Sequence, residues 1–150
     1  MFSGPALAAT LRTAHYRLKR CASDLDAAAQ PYQIAERSAL GPTWHYGQDT
    51  EPVRYTDGQC LTLADGRMVI LELQIVFEPD CVTVNGRLHV EADEDTPSSG
   101  GPAGVLVDAG PRWARTDEQT TDAIGQTLAE LTGRSALLAE LGVPARAGFG

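Results

Sequence analysis

The strongest constraint on the fold is a run of alternating residues between positions 67 and 78. One set in this run, spaced two apart, is entirely apolar: Val69, Leu71, Leu73, Ile75 and Phe77. The intervening set is mixed: Met68, Ile70, Glu72, Gln74, Val76 and Glu78. A period of two predicts one long β-strand. Its apolar side requires a cover, whereas its mixed side is half-exposed or covered by something else.

Turn signals on both sides of this strand predict an antiparallel meander. Asp65-Gly66 separates it from a β-rich segment at Cys60–Ala64, and Asp57-Gly58 separates that segment from Val53–Thr56. Asp-Gly between β-rich runs is a strong hairpin signal. Downstream, Glu78-Pro79-Asp80 predicts the next reversal of the chain.

Residues 82–92 alternate in the same way and predict another strand. Asn85-Gly86 could instead form a tight turn that splits this run into a hairpin. The alternation continues in register through Gly86, which favours one long strand with a bulge or kink there. Val105–Val107 predicts a last short strand before Gly110-Pro111, giving about five to six strands in all.

A long amphipathic helix precedes the meander. Ser3 and Pro5 suit its first turn, and Gln30-Pro31 ends it. Its apolar stripe recurs at spacings of four and three: Leu7, Leu11, Ala14, Leu18, Cys21, Leu25 and Ala28. About 25 residues of helix measure roughly 38 Å, which is longer than a small sheet usually covers. We expect the helix to lie on its own sheet; its surplus length projects or packs on a second copy.

A second helical segment follows the last strand. Thr116 is the predicted N-cap, with Gln119 completing a capping box. Ile124, Leu128 and Leu131 form the inward stripe, and Thr132-Gly133 ends the helix. Further apolar positions follow within Ser135–Leu141. The predicted fold class is therefore α+β: a long N-terminal helix, an antiparallel meander and a C-terminal helical segment packed on one sheet face.

The connecting segments complete a single predicted domain over residues 1–150. Tyr32–Leu40 is compatible with either a strand or a helical turn. Thr43–Tyr46 contains β-forming aromatics, and residues 47–52 read as a loop. The charged and glycine-rich stretch over 93–104 predicts a flexible loop, and residues 145–150 predict a loose tail.

Charge and composition exclude several classes of function. The net charge is -8, and residues 48–103 carry eleven acidic but only three basic side chains. Such a segment repels a phosphate backbone, so we expect no nucleic-acid partner. Met1–Ala9 lacks the features of a signal peptide, and no apolar run is long enough to span a membrane. Three cysteines without metal or redox spacing suggest a cytoplasmic protein with reduced thiols.

The sequence contains no catalytic or cofactor motif. His15, His45 and His89 are scattered without metal-ligand spacing, so we predict neither a metal site nor a cofactor. Cys60 could meet His45 or His89 across the sheet, but buried cysteines are usually apolar fillers. Arg12, Tyr16 and Lys19 share one face of the first helix, which is either a solvated surface or a docking surface for an acidic partner.

The remaining candidates are aromatic and polar residues of the strands. They are candidates for ligand or partner binding: Trp44, His45, Tyr46, Glu72, Gln74, His89 and Trp113. Aromatic side chains with polar tips are enriched in binding surfaces, although they also form core edges. Glu72 is a site candidate only if its sheet face is covered.

Two functions fit these features. The first is a non-enzymatic protein-interaction domain that binds a protein partner or a second copy of itself. In size and acidity the chain resembles several protein-binding classes, including secretion chaperones, adaptors and toxin-neutralising immunity proteins. The alternative is a small-molecule-binding protein or enzyme with a cavity between the sheet and the helices.

Overall fold

A computed structural model describes residues 4–48, 51–92 and 104–141 of the chain. It has the predicted α+β architecture, with a long N-terminal helix, a six-stranded antiparallel sheet and a C-terminal helix packed on the sheet. The elements are α1 (Gly4–Ala29), β1 (Ile34–Ala39), β2 (Thr43–His45), β3 (Val53–Leu63), β4 (Met68–Phe77), β5 (Val82–Glu91), β6 (Gly104–Ala114) and α2 (Asp117–Leu131). Short 3-10 turns at Gln30–Tyr32 and Ser135–Leu141 follow the two helices.

The sheet runs in the order β1-β3-β4-β5-β6. Two short strands share the outer edge of β3, because β1 pairs with its C-terminal half and β2 with its N-terminal half. The four long strands β3 to β6 form the body of the sheet, and every pairing is antiparallel. Both helices pack on the same side, which we call the inner face.

The inner face and the two helices enclose one apolar core. The predicted apolar set of β4 is buried from Val69 to Ile75, and α1 contributes a buried stripe that begins at Ala14. The first turns of α1, including Leu7, lie mostly outside this core. Strand β5 is continuous through Gly86, with a register shift against β6 beside it. A Cβ atom at Gly86 would stand 2.6 Å from Thr127 Cγ2, so the missing side chain lets α2 approach the sheet.

Gly125 lies within α2, and among the described residues no close contact there requires a glycine. A Cβ atom there would meet only Arg17 Nη1, at 3.8 Å. Glycine in a helix interior costs about 1 kcal/mol relative to alanine, because more backbone freedom is lost on folding. We therefore expect Gly125→Ala to raise the free energy of unfolding by about 1 kcal/mol. Urea denaturation measures this directly, and a loss of stability would contradict the packing described for α2.

The predicted turn at Asp57-Gly58 is wrong. Strand β3 runs through both residues without a break, with Asp57 opposite Leu73 and Gly58 opposite Glu72. The dipeptide predicts a turn because the aspartate side chain is usually exposed to solvent and accepts hydrogen bonds from nearby backbone amides. Here the carboxylate has partners elsewhere in the fold, so an extended conformation satisfies it.

The last strand is also longer than predicted. Val105–Val107 lies within β6, which continues to Ala114 through Gly110-Pro111. An edge strand tolerates proline because one of its sides has no neighbour to receive an N–H group. Register shifts against β5 accommodate the irregular backbone.

The ambiguous segment and the helix boundaries are now defined. Tyr32–Leu40 contains strand β1, and α1 and α2 end where the sequence predicts. Thr116 caps α2 by accepting a hydrogen bond from the Gln119 amide, but Gln119 Oε1 accepts from the Arg115 amide rather than from Thr116. The predicted loop and tail lie outside the described residues, except for Gly104, which begins β6.

Candidate functional site

The sheet side opposite the helices is the open face. Among the described residues, no helix lies over it. It carries the mixed set of β4 together with alternate residues of β3, β5 and β6. Trp113 and Val105 of β6 are 64% and 52% exposed, respectively. These two side chains are eight positions apart along β6, so they lie towards opposite ends of this edge of the face.

Most of the predicted site residues fall on this face. Strand pairing places Glu72, Gln74, His89, Trp113 and His45 on the open face. Trp44 lies on the inner side, because it pairs with buried Tyr55. Its ring meets Tyr55 edge-on at 5.1 Å and stacks on Phe77 at 5.8 Å, measured between centroids. Trp44 therefore packs at the end of the core, although 41% of it is exposed. Tyr46 follows β2 and is exposed.

Charged side chains of alternating sign cross the centre of the open face. Glu72 of β4 lies opposite Arg87 of β5, and Arg87 lies opposite Asp108 of β6. We call these three residues the charged row. Together with Gln74 and Asn85, they line a shallow cleft of about 290 Å³. Directly opposed residues on antiparallel strands are close neighbours, so the row is negative, positive and negative across three strands.

His89 lies on the open face next to the charged row. Its side chain is only 13% exposed, and its Nδ1 is 3.9 Å from Glu91 Oε2. Within the described part of the chain, buried Nε2 has no hydrogen-bond partner. Burial lowers the pKa of His89, and the positive charge of Arg87 lowers it further. Acidic neighbours on three strands oppose the shift: Glu91, Glu72 and Asp108.

This lowered pKa makes folding stability depend on pH. Histidine in an unfolded chain titrates near pH 6.5. As the pH falls below that value, unfolded chains bind a proton at position 89 before folded chains do, so the free energy of unfolding decreases. We expect His89→Gln to reduce this loss between about pH 6.5 and pH 5, with exposed His45→Gln as the control. Unfolding curves measured at several pH values test it. If the free energy of unfolding depends on pH equally in the His89 variant and in the wild type, His89 makes no such contribution.

A second polar cluster lies on the inner face, around Asp57. This carboxylate is buried, with only 3% of the residue exposed. His15 Nδ1 of α1 is 2.7 Å from Asp57 Oδ2, and the Tyr55 hydroxyl donates to the same oxygen at 3.3 Å. The Gly58 amide donates to Oδ1 at 2.9 Å. Burial raises the pKa of Tyr55, as does the neighbouring charge of Asp57, so this hydroxyl stays a donor.

The Asp57 cluster borders a cleft between α1 and the β1–β2 edge of the sheet. The cleft has a volume of about 300 Å³. Its polar lining comes from His15, Lys19, Asp57 and Gln59, and its apolar lining from Leu18, Ala22, Ala39 and Pro42. Sequence reasoning missed this site because it assigned Asp57 to a turn. The only signal was His15, which lies beside the apolar stripe of an amphipathic helix.

The strand order keeps Cys60 apart from His89. Cys60 lies opposite Ile70, which in turn lies opposite His89, so a whole strand separates the thiol from that imidazole. Burial raises the pKa of Cys60, and the charges of Glu91 and Glu36 add to this effect. No group of three His, Cys, Asp or Glu residues suited to a metal ion occurs in the described ranges.

The fold places this protein in the α+β class, with an antiparallel sheet whose inner face is covered by two helices. No family model, curated protein or solved structure matches the chain. Among the described helices, none combines the length and the hydropathy that crossing a bilayer requires.

Proposed function

We propose that this protein is a protein-interaction domain that binds through the open face of its sheet, and that the partner on this face is a second copy of the chain. The observation that carries the proposal is the pair of Glu72 and Arg87 in the charged row, which lie opposite each other on β4 and β5. When two open faces meet with β4 over β5, each of these residues faces the opposite charge in the other copy, while Asp108 lies over uncharged Gly58. Such complementarity fixes the register of an interface and disfavours wrong partners.

The pairing follows from a two-fold axis that is parallel to the strands and midway between β4 and β5. Such an axis sets β4 of one copy over β5 of the other, and β3 over β6, without shifting the residues along the strands. Glu72 of each copy then faces Arg87 of the other. At the same time, Arg54 of β3 faces Trp113 of β6 in the second copy, because both lie on the cross-strand row through Val76 and Thr83. An arginine over an indole ring is a favourable cation–π contact.

The size of the open face supports a specific interface. Its four long strands contain ten or eleven residues each. They cover about 33 Å by 19 Å, or roughly 600 Å² in projection, when the usual rise and strand spacing apply. Side chains enlarge this projected area. A specific interface of standard size buries about 800 Å² on each partner. Two stacked sheets of this kind also pack with their strands nearly aligned.

We also propose that the protein works in a reducing compartment. The three cysteines, Cys21, Cys60 and Cys81, are free thiols. Free thiols persist in reducing compartments, so we place the protein in the cytoplasm.

Charge reversal tests the proposed pairing. We expect the wild-type protein to sediment as a dimer, and Glu72→Arg and Arg87→Glu each to weaken self-association by about tenfold or more, since each places like charges face to face. The double variant, Glu72→Arg with Arg87→Glu, restores opposite charges and should recover the dimer. Sedimentation velocity over a range of concentrations measures the dissociation constants.

Matched reversals on α2 and after it serve as controls. Asp122→Arg and Arg134→Glu change exposed charges away from the sheet and should leave the dimer unchanged. A wild-type protein that stays monomeric at high micromolar concentration would refute self-association through this face. A double variant that remains as weak as the single variants would refute the register.

A further inference from the structure

The cleft between α1 and the sheet edge has the features of a ligand site that is independent of the open face. It is lined by two groups that can carry positive charge, His15 and Lys19, which are four residues apart on α1 and therefore share one helix face. Among the described residues that line it, Asp57 is the only acidic one, and its carboxylate already accepts hydrogen bonds from Tyr55 and Gly58. The charge available to a ligand in this cleft is therefore positive.

The Asp57 contact fixes the chemistry of the His15 ring. A carboxylate accepts hydrogen bonds, so the Nδ1 atom at 2.7 Å from Asp57 Oδ2 carries a proton. A carboxylate at Nδ1 also orients the ring. In the part of the chain that the structure describes, no hydrogen bond involves Nε2. In the protonated ring, Nε2–H is thus a donor held in place for an oxygen of the ligand.

We propose that this cleft binds the carboxylate of a small organic acid. One carboxylate oxygen accepts from His15 Nε2–H, and the ammonium group of Lys19 balances the charge. Asp57 and Tyr55 do not contact the ligand. Asp57 positions the His15 ring through Nδ1, and Tyr55 holds the Asp57 carboxylate. The apolar lining from Leu18, Ala22, Ala39 and Pro42 surrounds the hydrocarbon part of the acid.

The shape and lining of the cleft select this class of ligand over other anions. Its volume of about 300 Å³ lies at the small end of the range for ligand pockets, which suits a short acid rather than a nucleotide. Inorganic phosphate would leave the apolar lining without a contact. The uncharged amide of the same acid would lose its attraction to Lys19 and to protonated His15.

The experiment is an NMR titration of the full chain with butyrate, butyramide and inorganic phosphate. We expect saturable shifts at the amides of Leu18, Lys19 and Gly58 and at the His15 ring nitrogens with butyrate at about pH 5.5. Butyramide and phosphate should bind at least tenfold more weakly. His15→Gln and Lys19→Gln should each reduce butyrate affinity by about fivefold or more, which is typical of a lost charge-assisted hydrogen bond.

Two variants control for indirect effects on the fold. Arg20→Gln removes an exposed cation of α1 that does not line the cleft, and His45→Gln removes an exposed histidine of β2; both should bind butyrate like the wild type. Unchanged amide spectra elsewhere in the chain show that His15→Gln is folded. The proposal is overturned if butyrate produces no saturable shifts at these positions, if butyramide or phosphate binds as tightly, or if His15→Gln binds butyrate unchanged.

Discussion

Replacing Gly58 with alanine is expected to lower the free energy of unfolding by about 3 kcal/mol or more, because the new methyl group would collide with a neighbouring strand. A Cβ atom at this position would lie 2.0 Å from the carbonyl oxygen of Leu71 and 3.0 Å from the Cα atom of Glu72. Both atoms belong to the backbone of β4. They cannot retreat without breaking the ladder between β3 and β4, which continues on both sides of Gly58.

Urea denaturation of the Gly58→Ala variant measures the effect. The midpoint should shift to lower urea concentration while the dependence on denaturant is retained. Gly125→Ala is the matched control, because the same substitution in α2 meets no backbone atom and is expected to have the opposite sign. A Gly58→Ala variant as stable as the wild type would show that β3 does not approach β4 in this way.

Removing the buried carboxylate at position 57 is expected to have a comparable effect. Asp57→Ala leaves the Tyr55 hydroxyl and the Gly58 amide without their acceptor, and it leaves His15 without its partner. An unsatisfied buried donor costs about 1–3 kcal/mol, and more than one is created here. We therefore expect a loss of about 3 kcal/mol in the free energy of unfolding.

Single changes to the donors separate the contributions around Asp57. Tyr55→Phe removes one donor and keeps the ring, so it should cost about 1 kcal/mol. His15→Gln removes the contact from α1 but affects a side chain that is 28% exposed, so its cost should also be smaller than that of Asp57→Ala. If Asp57→Ala unfolds at the same denaturant concentration as the wild type, the carboxylate does not hold this cluster together.

The sequence predicts those parts of the fold that depend on a simple period. The register of β4 follows from its alternation, since a shift by one residue would expose Leu71 and Leu73 to solvent. The same reasoning identifies β5 as one strand through Gly86. The helix limits at Pro31 and Thr116 follow from local chemistry. In each of these features, the residues that determine the structure are close together in the chain.

The Asp57 cluster could not be predicted in this way. Its members His15 and Asp57 are 42 positions apart and meet only after α1 has packed on the sheet. Local chemistry favours a turn at Asp57-Gly58, whereas the fold supplies the carboxylate with partners and keeps the strand extended. The full length of β6 could not be predicted for a related reason. Proline usually ends a strand, but Pro111 is tolerated because β6 is an edge strand.

The mixed alternation of β4 predicts an open face, but the complementarity of that face depends on pairings between strands. Arg87 and Asp108 align with Glu72 only through the registers of β4 with β5 and of β5 with β6. The register shifts in β6 have no clear signal in the sequence. For this reason the candidates Glu72, Gln74, His89 and Trp113 could be named individually, while the charged row could not.

Two copies are proposed to meet through their open faces, and contacts between Trp113 of one copy and Arg54 of the other distinguish this claim from every other arrangement. Within one chain, β6 and β3 are three strand spacings apart, or about 14 Å, which is too far for a nuclear Overhauser effect. We predict that an isotope-filtered NOESY experiment on mixed labelled and unlabelled protein shows contacts from the Trp113 indole to the Arg54 side chain of the other copy. A monomer at NMR concentration, or a dimer whose intermolecular contacts involve the helices instead, would contradict the claim.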